Sequence, residues 1–166
     1  QTAGTGAAEV RREADAQPQP STAEEAERAA VQVPRPINEL FVGDLLPELV
    51  IPITTRLIVG GAIASRDYQD VHHDKGAAQA LGSPDIFMNI LTTNGLVGRF
   101  VTDWAGPGAN LKRVAIRLGA PNFPGDSMNL GGKVSALVID RREVVLEISG
   151  RNGLGELVCG TVQLVL

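Results

Sequence analysis

The chain has 166 residues, of which 43% are apolar and 20% charged, and its formal net charge at pH 7 is −4. This composition is typical of a folded soluble domain, and it argues against a nucleic-acid partner, because phosphate contacts need clustered lysines and arginines. The single cysteine, Cys159, excludes an intrachain disulfide and a cysteine-rich zinc site, and it favours a reducing, cytoplasmic setting. No apolar run approaches the roughly 18 residues of a membrane span, so we expect no membrane association.

Residues 1–32 differ in composition from the rest of the chain. They are rich in Ala, Glu, Gln and Pro and contain no aromatic residue. Such a segment cannot bury enough apolar surface to offset the entropy that it would lose on ordering. We therefore predict a disordered tail over 1–32 and one folded domain over 33–166.

The first half of the predicted domain combines strand-like and helical patterns. Residues 42–64 carry apolar and β-branched side chains interrupted by Gly and Pro, which is typical of strands. The segment "KGAAQAL" predicts a short helix that ends at Gly82. Apolar residues then recur at helical spacing through 83–104, with Ser83 as the N-cap and Pro84 at the first helical position.

Two glycines lie inside this long helix, Gly95 and Gly98. Each costs about 1 kcal/mol relative to alanine in a helix interior. We therefore expect another backbone to approach closely on that side of the helix.

The second half of the domain changes to strand patterns. Four alternating segments follow residue 109, with turn signals at 123–126, 140–142 and 152–155. The last turn, "NGLG", indicates a hairpin. This order predicts an α+β domain in which the long helix packs on one face of a curved antiparallel sheet.

A dense polar cluster lies between the apolar run at 42–64 and the predicted helices. It contains both histidines of the chain, His72 and His73, with Asp67, Asp70 and Asp74 around them. An Asp and a His five residues apart on a tight loop can converge on one water, and imidazole exchanges protons near neutral pH. We predict no metal site, because adjacent histidines on a loop rarely bind one ion and no third ligand spacing is evident.

The stretch "DYQDVHHD" resembles the hydratase motif of the MaoC-like enoyl-CoA hydratases, which reads Asp-x-Asn-Pro-hydrophobic-His-x-Asp. Asp67, His72 and Asp74 match this motif, whereas Gln69 and Asp70 stand where the family prefers Asn and Pro. The segments "VGDLLPEL", "IRLGAPNFPGDSMNLGGKV" and "GRNGLGELVCGTVQLVL" are similar to further family segments, so the resemblance extends from about residue 41 to the C-terminus. Within the family, "DIFMNIL" and "RFVTDWAGP" resemble the small subunit of the actinobacterial steroid side-chain hydratase.

The resemblance implies a single hotdog fold, in which a curved antiparallel sheet wraps a long central helix. It also implies that Asp67 and His72 hold the water that adds to an enoyl-CoA, giving an (R)-3-hydroxyacyl-CoA. Coenzyme A is then part of the substrate, and no separate cofactor is expected. Met88 and Asn89 occupy positions where the family has a His and a Gly whose amide faces the thioester oxygen. With Asp74 they are the candidate substrate-binding residues.

Two further polar residues, Ser83 and Asn94, are alternative donors to the thioester oxygen. The family builds its coenzyme A tunnel from two hotdog units, so a second MaoC-like subunit in an α2β2 assembly is the expected partner, and otherwise a homodimer. The substrate implied by the resemblance is a steroid side-chain thioester. The alternatives are a homodimeric (R)-hydratase for linear acyl-CoA, a non-catalytic hotdog subunit and, with less support, a thioesterase.

Overall fold

The computed structural model describes residues 35–166, so the tail predicted over 1–32 lies outside the described residues. The described part contains the helices α1 (Thr55–Ala64), α2 (Lys75–Ala80) and α3 (Ile90–Ala105), and the strands β1 (Leu45–Pro52), β2 (Asn110–Leu118), β3 (Ser127–Val138), β4 (Glu143–Asn152) and β5 (Gly155–Val165). None of these helices is long and apolar enough to cross a membrane.

The five strands form one antiparallel sheet in the order β1-β3-β4-β5-β2. The register shifts at several points, one of them between Val134 and Ala136 where β3 meets β4, and such bulges bend a sheet. The β4–β5 connection is a hairpin that pairs Asn152 with Gly155, which confirms the turn predicted at "NGLG". The predicted sequence of strands after residue 109 is therefore correct.

The core lies between the sheet and α3. One side of α3 is buried along its length at Thr93, Val97, Phe100, Val101 and Ala105, a spacing of three and four residues. Apolar side chains of β3, β4 and β5 complete the same cluster, among them Leu130, Leu146 and Val162. The predicted α+β arrangement of a sheet with one long helix is confirmed.

The prediction of strand structure over 42–64 is right for β1 and wrong for the helix α1. Thr54 caps α1, because its hydroxyl oxygen accepts the Leu57 N–H at 3.0 Å. Ile58 and Ala62, one turn apart, are the buried residues of the helix. The β-branched residues that suggested a strand thus lie in a helix whose buried side packs against the rest of the domain. Tertiary packing here overrides their preference for strands.

The predicted start of the long helix at Ser83 and Pro84 is also wrong, because α3 begins at Ile90 with Asn89 as its N-cap. The segment before it is extended, and its backbone bonds to distant parts of the chain. The Phe87 N–H donates to the Val71 carbonyl at 3.3 Å, and the Met88 N–H donates to the Asn122 carbonyl at 3.0 Å. These donors would otherwise have entered helical hydrogen bonds.

The close backbone expected at Gly95 and Gly98 is absent from the described residues. A Cβ at Gly95 would meet nothing within 4 Å, and one at Gly98 would meet only a side-chain carbon of Leu111 at 3.8 Å. The tight approach is made by α1 instead: a Cβ at Gly61 would lie 2.7 Å from Thr92 Cγ2 and 3.0 Å from Thr92 Cβ. Gly61 therefore sets the distance between α1 and α3.

We predict that Gly61→Ala lowers the free energy of unfolding by about 1–3 kcal/mol, because the new methyl group forces α1 and α3 apart. Gly60→Ala is the matched control, since a Cβ at Gly60 meets nothing within 4 Å. It should raise stability by about 0.5–1 kcal/mol, as alanine does in a helix interior. Chemical denaturation of both variants checks this, and equal effects of the two substitutions would show that the helix contact is not tight.

Candidate active site

Asp67 is positioned by the way in which α1 ends. The Arg66 N–H donates to the Ile63 carbonyl at 3.1 Å, and the Asp67 N–H donates to the Ala62 carbonyl at 2.9 Å. These two bonds form a Schellman motif, in which the residue after the helix adopts a left-handed conformation. Arg66 has a φ of 57°, where glycine is usual, and a side chain there costs roughly 1–2 kcal/mol. The strained turn places Asp67 directly at the C-terminal end of α1.

The Asp67 carboxylate is held by two side chains on the same oxygen. Asn89 Nδ2 donates to Asp67 Oδ2 at 3.0 Å, and His72 Nε2 lies 3.3 Å from that oxygen. The hydrogen bond from Asn89 is the main reason that the pKa of Asp67 lies below its usual range, and the Gln69 backbone and the neighbouring His72 act in the same direction. Partial burial opposes them without reversing the result. Asp67 is therefore a carboxylate, and a hydrogen-bond acceptor only.

The orientation of the His72 ring shows which nitrogen faces Asp67. Nδ1 lies 2.7 Å from the Phe87 carbonyl oxygen, which can only accept, so Nδ1 carries a proton. In the neutral ring Nε2 is then an acceptor that faces the Asp67 carboxylate, and two acceptors need a hydrogen between them. The ring is 5% exposed and packs edge-on against Phe87, with ring centroids 5.1 Å apart. The pair can hold a protonated Nε2 or a group that donates to both residues, such as water.

The structure brings Asp67, His72 and Asn89 together, and it places Met88 and Asp74 elsewhere. The Met88 side chain is 5% exposed and belongs to the core, where its sulfur faces the Asn122 amide. Asp74 caps α2, because its Oδ1 accepts the Ala77 N–H at 3.0 Å. A direct substrate contact by either side chain is not supported by these positions, and the catalytic role of Asp67 and His72 stays a prediction.

The other polar candidates make their contacts with other groups. His73 is partly exposed, and its Nε2 lies 3.7 Å from Asp70 Oδ1. Ser83 donates to the Asp85 carbonyl, and Asn94 donates to the Ile90 carbonyl. Both alternative donors to a thioester oxygen are thus engaged with neighbouring backbone.

The sequence reasoning missed two residues that support the site, Ser65 and Asn122. Ser65 Oγ accepts from Asn89 Nδ2 at 2.8 Å and donates to the Gly61 carbonyl at 2.7 Å. Asn122 is buried, and its backbone carbonyl holds the Met88 N–H. In the family pattern that "IRLGAPNFPGDSMNLGGKV" resembles, an apolar residue follows the first of the two prolines, and here Asn122 stands in its place, which is a signal in the sequence. Ser65 carries none, because its role depends on the contact between α1 and α3.

The first turn of α3 offers backbone donors beside the pair. The leading N–H groups of a helix have no intrahelical partner, and in α3 the side chain of Asn89 satisfies only that of Thr92, at 2.9 Å. The N–H groups of Ile90 and Leu91, which follow Asn89, are not used by this cap and can serve as donors. The positive end of the helix dipole at this point favours negative charge.

Comparison with known proteins identifies the chain. No family model matches it. It is 48% identical over 123 residues to the 3-oxo-4,17-pregnadiene-20-carboxyl-CoA hydratase beta subunit of Mycobacterium tuberculosis, an alignment that covers 74% of this chain and 94% of that protein. The chain belongs to the MaoC-like hotdog hydratase family. The family resemblance of "DYQDVHHD" and its companion segments is confirmed.

Solved structures agree with this membership of the MaoC-like hotdog hydratases. A chain of the ChsH1-ChsH2 complex from Mycobacterium tuberculosis is 47% identical, with a TM-score of 0.73 over 76% of this chain and 98% of that one. The unliganded R-hydratase PhaJ1 from Pseudomonas aeruginosa is 22% identical, with a TM-score of 0.72 over 78% of this chain and 84% of that one. The second likeness concerns the fold alone, and it confirms the predicted hotdog architecture.

The lowered pKa of Asp67 predicts how stability depends on pH. A carboxyl group with a depressed pKa in the folded state stabilises the fold above its unfolded pKa of about 3.9, and this contribution is lost as the pH falls toward the folded value. Between pH 7 and about pH 3, the wild type should therefore lose more stability than Asp67→Asn, which cannot lose this term. Denaturation curves of both proteins across this range measure the difference, and parallel pH profiles would contradict the depressed pKa.

Proposed function

We propose that this chain is the catalytic subunit of an enoyl-CoA hydratase that acts on a steroid side-chain thioester. The observation that carries the proposal is the 3.3 Å approach of His72 Nε2 to the Asp67 carboxylate, in a relative of a pregnadiene carboxyl-CoA hydratase subunit. Coenzyme A is then part of the substrate. Hydration itself needs no further cofactor, because water and one acid–base pair supply every proton.

Hydration of an α,β-unsaturated thioester needs water activated for attack at Cβ, a proton delivered to Cα and a donor for the enolate oxygen. The Asp67 carboxylate accepts one hydrogen of the water and so orients it. His72 Nε2 accepts the other hydrogen as the hydroxyl group adds to Cβ, while its Nδ1–H stays fixed on the Phe87 carbonyl. The pair then returns one proton to Cα, so that one water is consumed and both residues recover their starting state. We keep the (R)-3-hydroxyacyl product as a prediction.

The enolate oxygen is best served by backbone donors at the start of α3. The side chain of Asn89 is already bonded to Ser65, Asp67 and Thr92, so it has no hydrogen left for a substrate. The N–H groups of the first turn lie beside this side chain and point toward the N-terminal end of the helix, where developing negative charge is favoured. In this proposal Asn89, a candidate substrate-binding residue, contributes through the backbone at the start of α3 and not through its side chain.

The proposed partner is a second MaoC-like subunit. The likeness to a chain of the ChsH1-ChsH2 complex, at 47% identity, supports a heteromeric assembly over a homodimer, and the α2β2 stoichiometry stays a prediction. In this assembly the partner supplies the binding surface that one hotdog unit lacks. A coenzyme A thioester as substrate fits the cytoplasmic location expected from the sequence.

We predict that Asp67→Asn and His72→Gln each lower kcat for hydration by about 10²–10⁴-fold, because each removes one half of the acid–base pair. The measurement is the loss of enoyl-thioester absorbance with 3-oxo-4,17-pregnadiene-20-carboxyl-CoA, on the chain purified together with its hotdog partner. His73→Gln is the matched control, since the neighbouring imidazole is partly exposed and faces Asp70. It should retain the wild-type rate.

Wild-type activity in the Asp67→Asn complex would move the chemistry to the partner and leave this chain a non-catalytic subunit. A second arm of the same assay uses a short linear enoyl-CoA. Lower kcat/KM on the linear thioester than on the steroidal one is the expected result. The reverse order, with the chain active alone, would favour the homodimeric hydratase for linear acyl-CoA.

A further inference from the structure

We propose that Asn89 is a positioning residue for Asp67. Its side-chain amide holds the Asp67 carboxylate against His72, and Ser65 in turn holds the amide. The inference rests on the proposed function of the Asp67–His72 pair. The motif that this part of the chain resembles implies a glycine at this position, so the role of the Asn89 side chain goes beyond what the motif assigns.

The hydrogen bonds decide the orientation of the Asn89 amide. Its Oδ1 accepts the Thr92 N–H at 2.9 Å, so its nitrogen faces Ser65 Oγ at 2.8 Å and Asp67 Oδ2 at 3.0 Å. The flipped amide would set its NH₂ group against the Thr92 N–H and its oxygen against a carboxylate, which no donor could satisfy. Asn89 is 2% exposed, and both of its amide hydrogens are used. Its side chain therefore acts on Asp67 and not on a substrate.

The two anchors of Asp67 belong to different helices. Its backbone is tied to α1 through the Ala62 carbonyl, and its side chain is tied to the N-cap of α3 through Asn89. Ser65 connects these ends, because it donates to the Gly61 carbonyl and accepts from Asn89. The carboxylate is thus fixed from both sides, with its Oδ2 3.3 Å from His72 Nε2. Misplacement of a reacting group by about 1 Å can cost 10²-fold in rate.

Few charged groups compete with Asn89 for control of Asp67. His72 faces it from the loop, and Asp70 of the same loop is directed to His73. Arg66 is exposed at the end of α1. The first charged residue of α3 is Arg99, which lies more than two turns beyond the start of the helix and pairs with Asp103. The Asn89 hydrogen bond is the main cause of the lowered pKa of Asp67. The Gln69 backbone and His72 act in the same direction, so the amide is the largest of several contacts that lower this pKa.

Two substitutions separate the donor role of Asn89 from its role as a helix cap. Asn89→Asp keeps an oxygen for the Thr92 N–H but sets a second carboxylate against Asp67. Asn89→Gly keeps an acceptable N-cap and removes the amide. Asn89→Gly should lower the melting temperature only slightly, whereas Asn89→Asp should lower it more, because it buries a second carboxylate. Both should lower kcat by about 10- to 100-fold and raise the pKa of Asp67. The rise should be larger for Asn89→Asp, because like charges raise a carboxyl pKa.

The experiment uses the complex with its partner and has three readouts: the melting temperature, kcat against pH, and the carboxyl ¹³C titration of Asp67 by NMR. Thr54→Ala is the matched control, because it removes the N-cap of α1 far from the carboxylate. It should lower the melting temperature and leave kcat and the Asp67 titration unchanged. Ser65→Ala removes one anchor and should change the titration in the same direction by a smaller amount, which carries the test if Asn89→Asp does not fold.

An unchanged Asp67 titration in Asn89→Gly and Ser65→Ala would overturn the inference, as would variants that change only the melting temperature, like Thr54→Ala. This outcome is distinct from a failure of the proposed function, which would appear as hydration that survives Asp67→Asn. The NMR titration reports the contact between Asn89 and Asp67 whether or not the complex hydrates the substrate. A raised pKa together with reduced kcat would establish Asn89 as the residue that positions Asp67.

Discussion

The side-chain amide of Asn89 makes the hydrogen bonds on which the rest of the site depends. This amide caps the N-terminus of α3, donates to Ser65 at the end of α1 and donates to the Asp67 carboxylate. Because these contacts converge on one side chain, the start of the helix and the position of the carboxylate are set together. The close packing of the two helices at Gly61 keeps them within reach of this amide.

The remaining half of the site is fixed through the extended segment that precedes α3. Phe87 bonds to the loop twice: its N–H donates to the Val71 carbonyl, and its own carbonyl accepts the Nδ1–H of His72. Behind it, Asn122 holds the backbone of Met88. The imidazole and the carboxylate are therefore held by residues two apart in the segment that leads into α3, Phe87 and Asn89. These contacts explain how the two side chains are held in one geometry.

Much of the fold follows from local patterns in the sequence. The periodic apolar residues of α3 and the "NGLG" hairpin were predicted from spacing and turn chemistry, because both depend on neighbours along the chain. The start of α3 and the helix α1 were not, because tertiary hydrogen bonds to Phe87 and packing at Gly61 decide them. For the same reason the motif identified Asp67 and His72 as a pair, whereas the contribution of Ser65 emerged only when two helices were brought together.

The central claim is that hydration occurs between the Asp67 carboxylate and Nε2 of His72. The most direct measurement is a crystal structure of the complex with a saturated steroidal acyl-CoA that cannot react. We predict that the carbon equivalent to Cβ lies over the gap between Asp67 Oδ2 and His72 Nε2, one water away from both, with the thioester oxygen at the first turn of α3. An acyl group bound at another site, out of reach of both side chains, would contradict the account.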